Sequence, residues 1–202
     1  MYDLTLHQVV LRVFAFLVII ATHGAATSIT AVALGDEGVK HDGRLSASPI
    51  NHLDIVGFIA AIVGLFGWAK PVAVDPARLR GGGLGLVAIV FAGSLACLAG
   101  GTIALALRPF LVNALPDSAA TNVFALIQVF AEMSFATAIF NLLPIPPLAG
   151  ALFLVAMAQG LRDQLPRIGF YAGFVLLGPD VFGVWRAIFW PAIEALMNAF
   201  LG

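Results

Sequence analysis

Residues 140–150 read Phe140-Asn141-Leu142-Leu143-Pro144-Ile145-Pro146-Pro147-Leu148-Ala149-Gly150, and the fold turns on them. An apolar run from Thr121 to Phe140, carrying the single acid Glu132, enters this stretch, and a helical pattern resumes from Leu148 to Leu161. No helix keeps its hydrogen bonds through prolines at 144, 146 and 147, because each lacks an N–H and its ring collides with the preceding turn. In lipid, such broken backbone must be shielded by protein or line a cavity. The stretch therefore predicts a helix interrupted inside a membrane body, with polar groups gathered at the break.

The rest of the chain agrees. Of 202 residues, 61% are hydrophobic and only 10% charged, and the mean hydropathy is +1.02. A soluble domain carries roughly 25% charged residues, so a soluble monomer is a poor reading. At about 20 apolar residues per span, the length holds five or six transmembrane or re-entrant helices and no separate soluble catalytic domain. We read an all-α integral membrane protein in which residues 1–202 form one membrane domain. Ten Lys and Arg against 11 Asp and Glu give a net charge of −1, which excludes nucleic acid as a main partner. The single cysteine, Cys97, lies in an apolar run and forms no internal disulfide.

Working outward, Met1 to Arg12 is short and weakly charged, and the apolar run Val13 to Leu34 lacks a basic leader and a cleavage site, so a retained first helix is expected. Asp36, Glu37, Lys40, His41, Asp42, Arg44, His52 and Asp54 then mark an interfacial loop. Ile55 to Ala69 is an apolar run of about 15 residues, or roughly 22 Å as a helix, short of a hydrocarbon core of about 30 Å. It is either re-entrant or a short span. Lys70, Asp75, Arg78 and Arg80 make a second polar loop closed by Gly81, Gly82, Gly83 and Gly85. No Gly-Lys-Ser/Thr follows these glycines, so they read as a hinge and not a phosphate cradle.

A helix is expected over Leu84 to Leu107, with Pro109 and Pro116 ending the helices on either side of a short loop. Arg162, Asp163, Gln164 and Arg167 read as another loop, and Phe170 to Leu201 as one or two helices interrupted at Gly178-Pro179-Asp180. If Ile55 to Ala69 does not cross, Lys40, Arg44, Lys70, Arg78 and Arg80 share one side, which should be cytoplasmic.

Several spaced motifs carry a resemblance. They are His23-Gly24-Ala25-Ala26-Thr27, Gly35-Asp36, Gly43-Arg44-Leu45, Pro49, His52-Leu53-Asp54 and Gly57. Further along come Gly67-Trp68-Ala69-Lys70-Pro71-Val72 with Asp75-Pro76, then Ala92-Gly93-Ser94, and finally Asn141 to Gly150. Together, over residues 13–161, they resemble the core of the site-2 protease family of intramembrane zinc metalloproteases, in its short bacterial branch. The C-terminal membrane helices, residues 170–201, lie outside that core.

The resemblance implies a helix-borne His-Glu-x-x-His, two histidines on zinc and the glutamate as base, with a third ligand from the aspartate of an Asp-Gly turn. Here the first histidine is His23, the base position is Gly24, the second histidine position is Thr27 and the aspartate position is Ala149. Ser94 and Cys97 stand where the family often has a proline and an asparagine. With one imidazole where zinc usually takes three protein ligands, the expectation is no catalytic residue, no zinc and no other cofactor.

The remaining candidates for a polar site or groove are His23, Asn141, Pro144, Pro147 and Glu132, with His52 and Asp54 in the interfacial loop. For His23 two readings stand: contact with a quinone, pigment, lipid or partner helix, or a hydrogen bond to Thr27 or near Asn141. Glu132 reads either as a site for proton or quinone chemistry or as a paired acid. The pairs Gly93/Cys97, Gly169/Gly173 and Gly57/Ala61 suit close helix approach, within the chain or with a partner. Tyr171, Trp185 and Trp190 suit an aromatic belt at the membrane interface.

The expected function is that of a catalytically inactive site-2-protease-like protein serving as an accessory or assembly subunit of a larger membrane complex, respiratory or photosynthetic. The alternative is an active or atypical intramembrane zinc metalloprotease that cleaves transmembrane segments, with ligands recruited from His52 or Asp54. A third reading is a non-proteolytic regulator that holds single-span helices in the old substrate groove. Expected partners are membrane lipids and other integral membrane subunits, in the bacterial inner membrane.

Overall fold

The computed structural model describes residues 4–201; Met1 to Asp3, which begin the weakly charged N-terminal segment, and Gly202 lie outside the described residues. Every regular element among the described residues is helical: α1 (Leu6–Ala33), α2 (Gly38–His41), α3 (Pro49–His52), α4 (Ile55–Gly64), α5 (Gly83–Asn113), α6 (Asp117–Phe140), α7 (Ala151–Met157), α8 (Leu165–Val181) and α9 (Val184–Leu201). A 3-10 helix, Gln159–Gln164, joins α7 to α8. The protein is an all-helical membrane protein. Helices α1, α5 and α6 are long and apolar enough to cross a bilayer, and α8 with α9 adds a fourth candidate span, bent by 74°. With the short apolar α4 and the broken segment through α7, they account for five or six apolar segments.

The three long helices pack on one another, burying Phe16, Ile19 and Ile20 of α1 and Met133, Phe135 and Phe140 of α6. Against them rests the element that the sequence left open. Ile55 to Ala69 is a hairpin and does not cross. Helix α4 advances about 15 Å at 1.5 Å per residue and ends at Leu65, whose left-handed φ of 82° reverses the chain. The five residues from Phe66 to Lys70 then return roughly 17 Å in extended form. The Lys70 N–H closes the loop by donating to the His52 carbonyl at 2.8 Å. Arg44, buried beside it, donates to the Lys70 and Pro71 carbonyls at 3.0 and 3.1 Å, and the Arg80 N–H donates to the Leu34 carbonyl at 2.7 Å. Lys40, Arg44, Lys70, Arg78 and Arg80 thus share one side.

The two arms of the hairpin touch at a glycine. A Cβ on Gly57 would run into the Trp68 carbonyl and indole, so only glycine permits this approach. Asp54 caps the first arm, accepting from the Gly57 N–H at 2.8 Å, and also takes the Trp68 indole N–H at 3.1 Å. At the tip, Arg12 donates to the Ile62 and Val63 carbonyls at 2.6 and 3.0 Å. These are end-of-helix carbonyls that have no partner within α4.

Several boundaries differ from the sequence reading, beginning with α1 and α6, which start at Leu6 and Asp117, ahead of the apolar runs they carry. Helix α5 continues through Pro109 to Asn113; a proline near a helix end removes one hydrogen bond at a place where the chain can still tilt. Helix α8 likewise runs through Pro179, and the break comes after it, at Phe182 and the left-handed Gly183. The expected helix from Leu148 to Leu161 is cut to α7, because Ala158 is extended and the chain continues as the 3-10 helix, taking in most of the expected loop. Trp185 is half-buried: its ring lies 5.4 Å from that of Phe140, and its N–H donates to the Leu176 carbonyl at 3.0 Å.

Candidate functional site

A cavity of about 920 Å³ opens beside α1 on the side that bears Arg44 and Lys70. One wall is the returning arm of the hairpin, from Trp68 to Val74; the others come from Pro146 to Ala149, from α7 and from α8. His23, Gly24 and Thr27 of α1 line it together with Ala149. Residues far apart in sequence, singled out by motif alone, therefore meet on one surface.

The break after α6 makes this possible. Asn141 follows the last turn of α6 and is 1% exposed. Its side-chain amide donates to the Gly67 carbonyl at 3.1 Å and to the Thr137 carbonyl at 3.0 Å, and its own carbonyl accepts from the Gly150 N–H at 2.7 Å. One residue thus joins the hairpin, the helix end and the far side of the proline turn, and sets Pro146, Pro147 and Ala149 against the cavity. Asn141 and Pro144 themselves are not among the lining residues.

The floor is differently built. The His23 imidazole is 4% exposed, its Nε2 has no hydrogen-bond partner among the described residues, and it faces Gly93 of α5. The Thr27 hydroxyl donates back to the His23 and Gly24 carbonyls at 3.1 and 2.9 Å, so it makes no bond to the imidazole. Behind Gly24 lies the His52 ring, so close that a Cβ at position 24 would overlap Nδ1 and Cγ. His52 is fully buried, with Nε2 2.9 Å from the Ser46 carbonyl and Nδ1 unpartnered. Burial pushes the His52 pKa below its ordinary value of 6.5; the Ser46 carbonyl opposes this and the charge of Arg44 adds to it.

Other candidates lie elsewhere. Glu132 accepts from the Gln128 amide at 2.9 Å along α6 and is not among the lining residues. The small-residue pairs are used inside the chain: Gly93 meets His23 and Thr27, Gly169 meets Pro147, and Gly173 meets Trp68. Sequence reasoning missed Arg12 and Asp180, both buried and both at the tip of α4. A lone arginine and a lone aspartate within apolar runs were the available signal.

As for a metal, no group of three or more His, Cys, Asp or Glu suited to holding an ion occurs among the described residues. His23 is the single imidazole lining the cavity, and the lining carboxylates of Asp42, Asp54 and Asp163 form no such group with it; Asp54 Oδ1 is engaged by Gly57 and Trp68. This donor set does not fit a zinc ion, which takes three protein ligands in catalytic sites.

No protein-family model matches the sequence, and no solved structure matches it. A Bacillus subtilis (strain 168) protein named "Putative zinc metalloprotease YwhC" is 27% identical over 198 residues, covering 94% of this chain and 88% of the relative. The relationship is site-2-protease-like. The similarity to this relative extends beyond residues 13–161, into the C-terminal helices that the motif reading left out.

Proposed function

We propose that this protein receives an apolar segment of another membrane protein in the groove lined by His23, Gly24, Thr27 and Ala149, and holds it without hydrolysis. The observation that carries the reading is that the four positions equated with the base and ligands of the site-2 proteases lie on one cavity yet offer one imidazole. None of those four positions supplies a carboxylate to take a proton from a bound water. The groove walls, by contrast, are largely apolar, suited to a segment leaving the bilayer.

The similarity to a protein named as a zinc metalloprotease favours a second reading, hydrolysis by an atypical site, over a purely architectural role as an accessory subunit of a respiratory or photosynthetic complex. Against hydrolysis stand the engaged Asp54 and a His52 turned toward Gly24. The polar loops carrying Arg44 and Lys70 are assigned to the cytoplasmic side of a bacterial inner membrane, because short cytoplasmic loops carry the excess of Lys and Arg.

The test is to purify the full chain from membranes in mild detergent, measure zinc, and place a photo-crosslinker at position 149. We expect zinc far below one ion per chain, no cleavage of a reporter transmembrane segment, and crosslinks to a membrane-spanning segment. Zinc near one ion per chain, lost with cleavage in His23→Ala, would establish the proteolytic reading. Crosslinks arising only from outer-face positions such as Phe14 and Phe110 would mean an architectural role.

A further inference from the structure

The segment between α7 and α8 is built unlike the rest of the groove. Residues 159–164 form a 3-10 helix with no buried residue, and a Cβ on Gly160 would meet nothing within 4 Å. The chain enters it through Ala158, whose extended φ and ψ of −145° and 90° end α7. Arg162 and Asp163 nevertheless line the cavity, as do Arg44 and Lys70. An ion pair ties this segment to Asp75, the residue that follows the lining arm ending at Val74: Arg162 Nη1 lies 3.2 Å from Asp75 Oδ1.

The two partners of that pair are held very differently. Asp75 is fixed: its N–H donates to Asp36 Oδ2 at 2.7 Å, its Oδ1 accepts from the Ala77 N–H at 3.1 Å, and Arg78 Nε lies 3.5 Å from its Oδ2. Asp36 is itself buried, 2% exposed. Arg162 extends from a segment with no fully buried residue. An ion pair as exposed as this one, with side chains 43% and 25% accessible, holds weakly and is screened by salt.

We propose that residues 158–164 are a strap across the mouth of the groove, latched by Arg162 on the fixed post Asp75, and that release of the latch opens the cavity to the aqueous side. Ala158 and Gly160 supply the freedom to swing. The strap's use rests on the groove reading above, whereas its test reads access to the cavity alone. Because Cys97 is buried and is the chain's single cysteine, the experiment is chemically clean.

In the full chain carrying Cys97→Ser and the reporter Ala149→Cys, the modification rate by a membrane-impermeant maleimide is measured with and without Asp75→Cys/Arg162→Cys. Oxidation of that pair should slow modification at least ten-fold, and reduction should restore it. Arg162→Glu should speed modification. Added salt should speed it in the reporter and leave the Arg162→Glu variant unmoved. A rate indifferent to the closed disulfide overturns the proposal; where the shorter cysteine side chains do not pair, the Arg162→Glu and salt comparisons carry the decision. If the double-cysteine chain does not fold, the Arg162→Glu and salt comparisons decide alone, and unchanged rates in both refute the strap. Loss of client crosslinking with gated access intact would instead refute the holding function.

Discussion

At the hairpin, polar groups are matched to partners. Asn141 serves the Gly67 carbonyl, Arg12 serves the carbonyls ending α4, Asp54 takes two N–H groups and Arg44 takes two carbonyls. At the groove nearby, His23 Nε2 has no partner among the described residues, and neither do His52 Nδ1, behind Gly24, and the Ser94 hydroxyl of α5. The hairpin's bonds satisfy backbone that would otherwise be stranded away from water, a cost that does not depend on any reaction. Of the groups left unpartnered, His52 still binds the Ser46 carbonyl through its other nitrogen, whereas His23 Nε2 makes no bond that supports the fold. The contrast separates residues that satisfy the fold from a residue at the cavity whose polar atom the fold leaves unpaired.

That contrast can be broken by substitution. Asn141→Leu should have the largest effect, leaving the Gly67 carbonyl buried and unsatisfied at a cost of about 2–3 kcal/mol, read as a lowered thermal midpoint in detergent. Gly24→Ala should follow, at roughly 1–3 kcal/mol, because the new Cβ must displace the His52 ring. Combining it with His52→Ala should recover much of that loss, and additive effects would show that the two do not share the space.

A smaller effect should appear with pH. His52 has a folded pKa below its ordinary value of 6.5, so the unfolded chain takes up the proton first. Its contribution is complete above pH 6.5 and declines as the pH falls through that value. His52→Gln should flatten the acid-side loss of stability between pH 7 and 5, and an unchanged slope would assign it to other groups. The least effect belongs to His23→Leu, within about 0.5 kcal/mol, because an apolar side chain replaces a buried group that already lacks a partner. A loss as large as that of Asn141→Leu would place His23 with the architecture and erase the contrast.

Much of this organisation was legible in the sequence. The prolines at 144, 146 and 147 mark the break because their backbone chemistry is local, and Phe140 ends α6 where the reading put it. The meeting of His23, Gly24, Thr27 and Ala149 was implied by the resemblance that equates them with one site. The path of Ile55 to Ala69 was not legible, since an apolar run of that length is the same whether the chain crosses or turns back. The turn depends on Leu65, a residue type that rarely adopts a left-handed φ, and on bonds from distant Arg12 and Asn141. Pro109 and Pro179 misled for a related reason: tertiary packing holds those helices past a residue that locally disfavours them. The strap was read as an ordinary loop because its single tie, Arg162 to Asp75, joins positions with no pattern between them.

The hairpin also fixes the parity of the chain. A segment that leaves and rejoins the same side contributes zero crossings, so α1 and α5 are consecutive candidate spans with the two ends of the hairpin on the same side, joined by the Lys70 N–H to the His52 carbonyl. Counting apolar runs would place residues 45 and 70 on opposite faces of the membrane. Topology reporters inserted at those two positions should instead give the same answer.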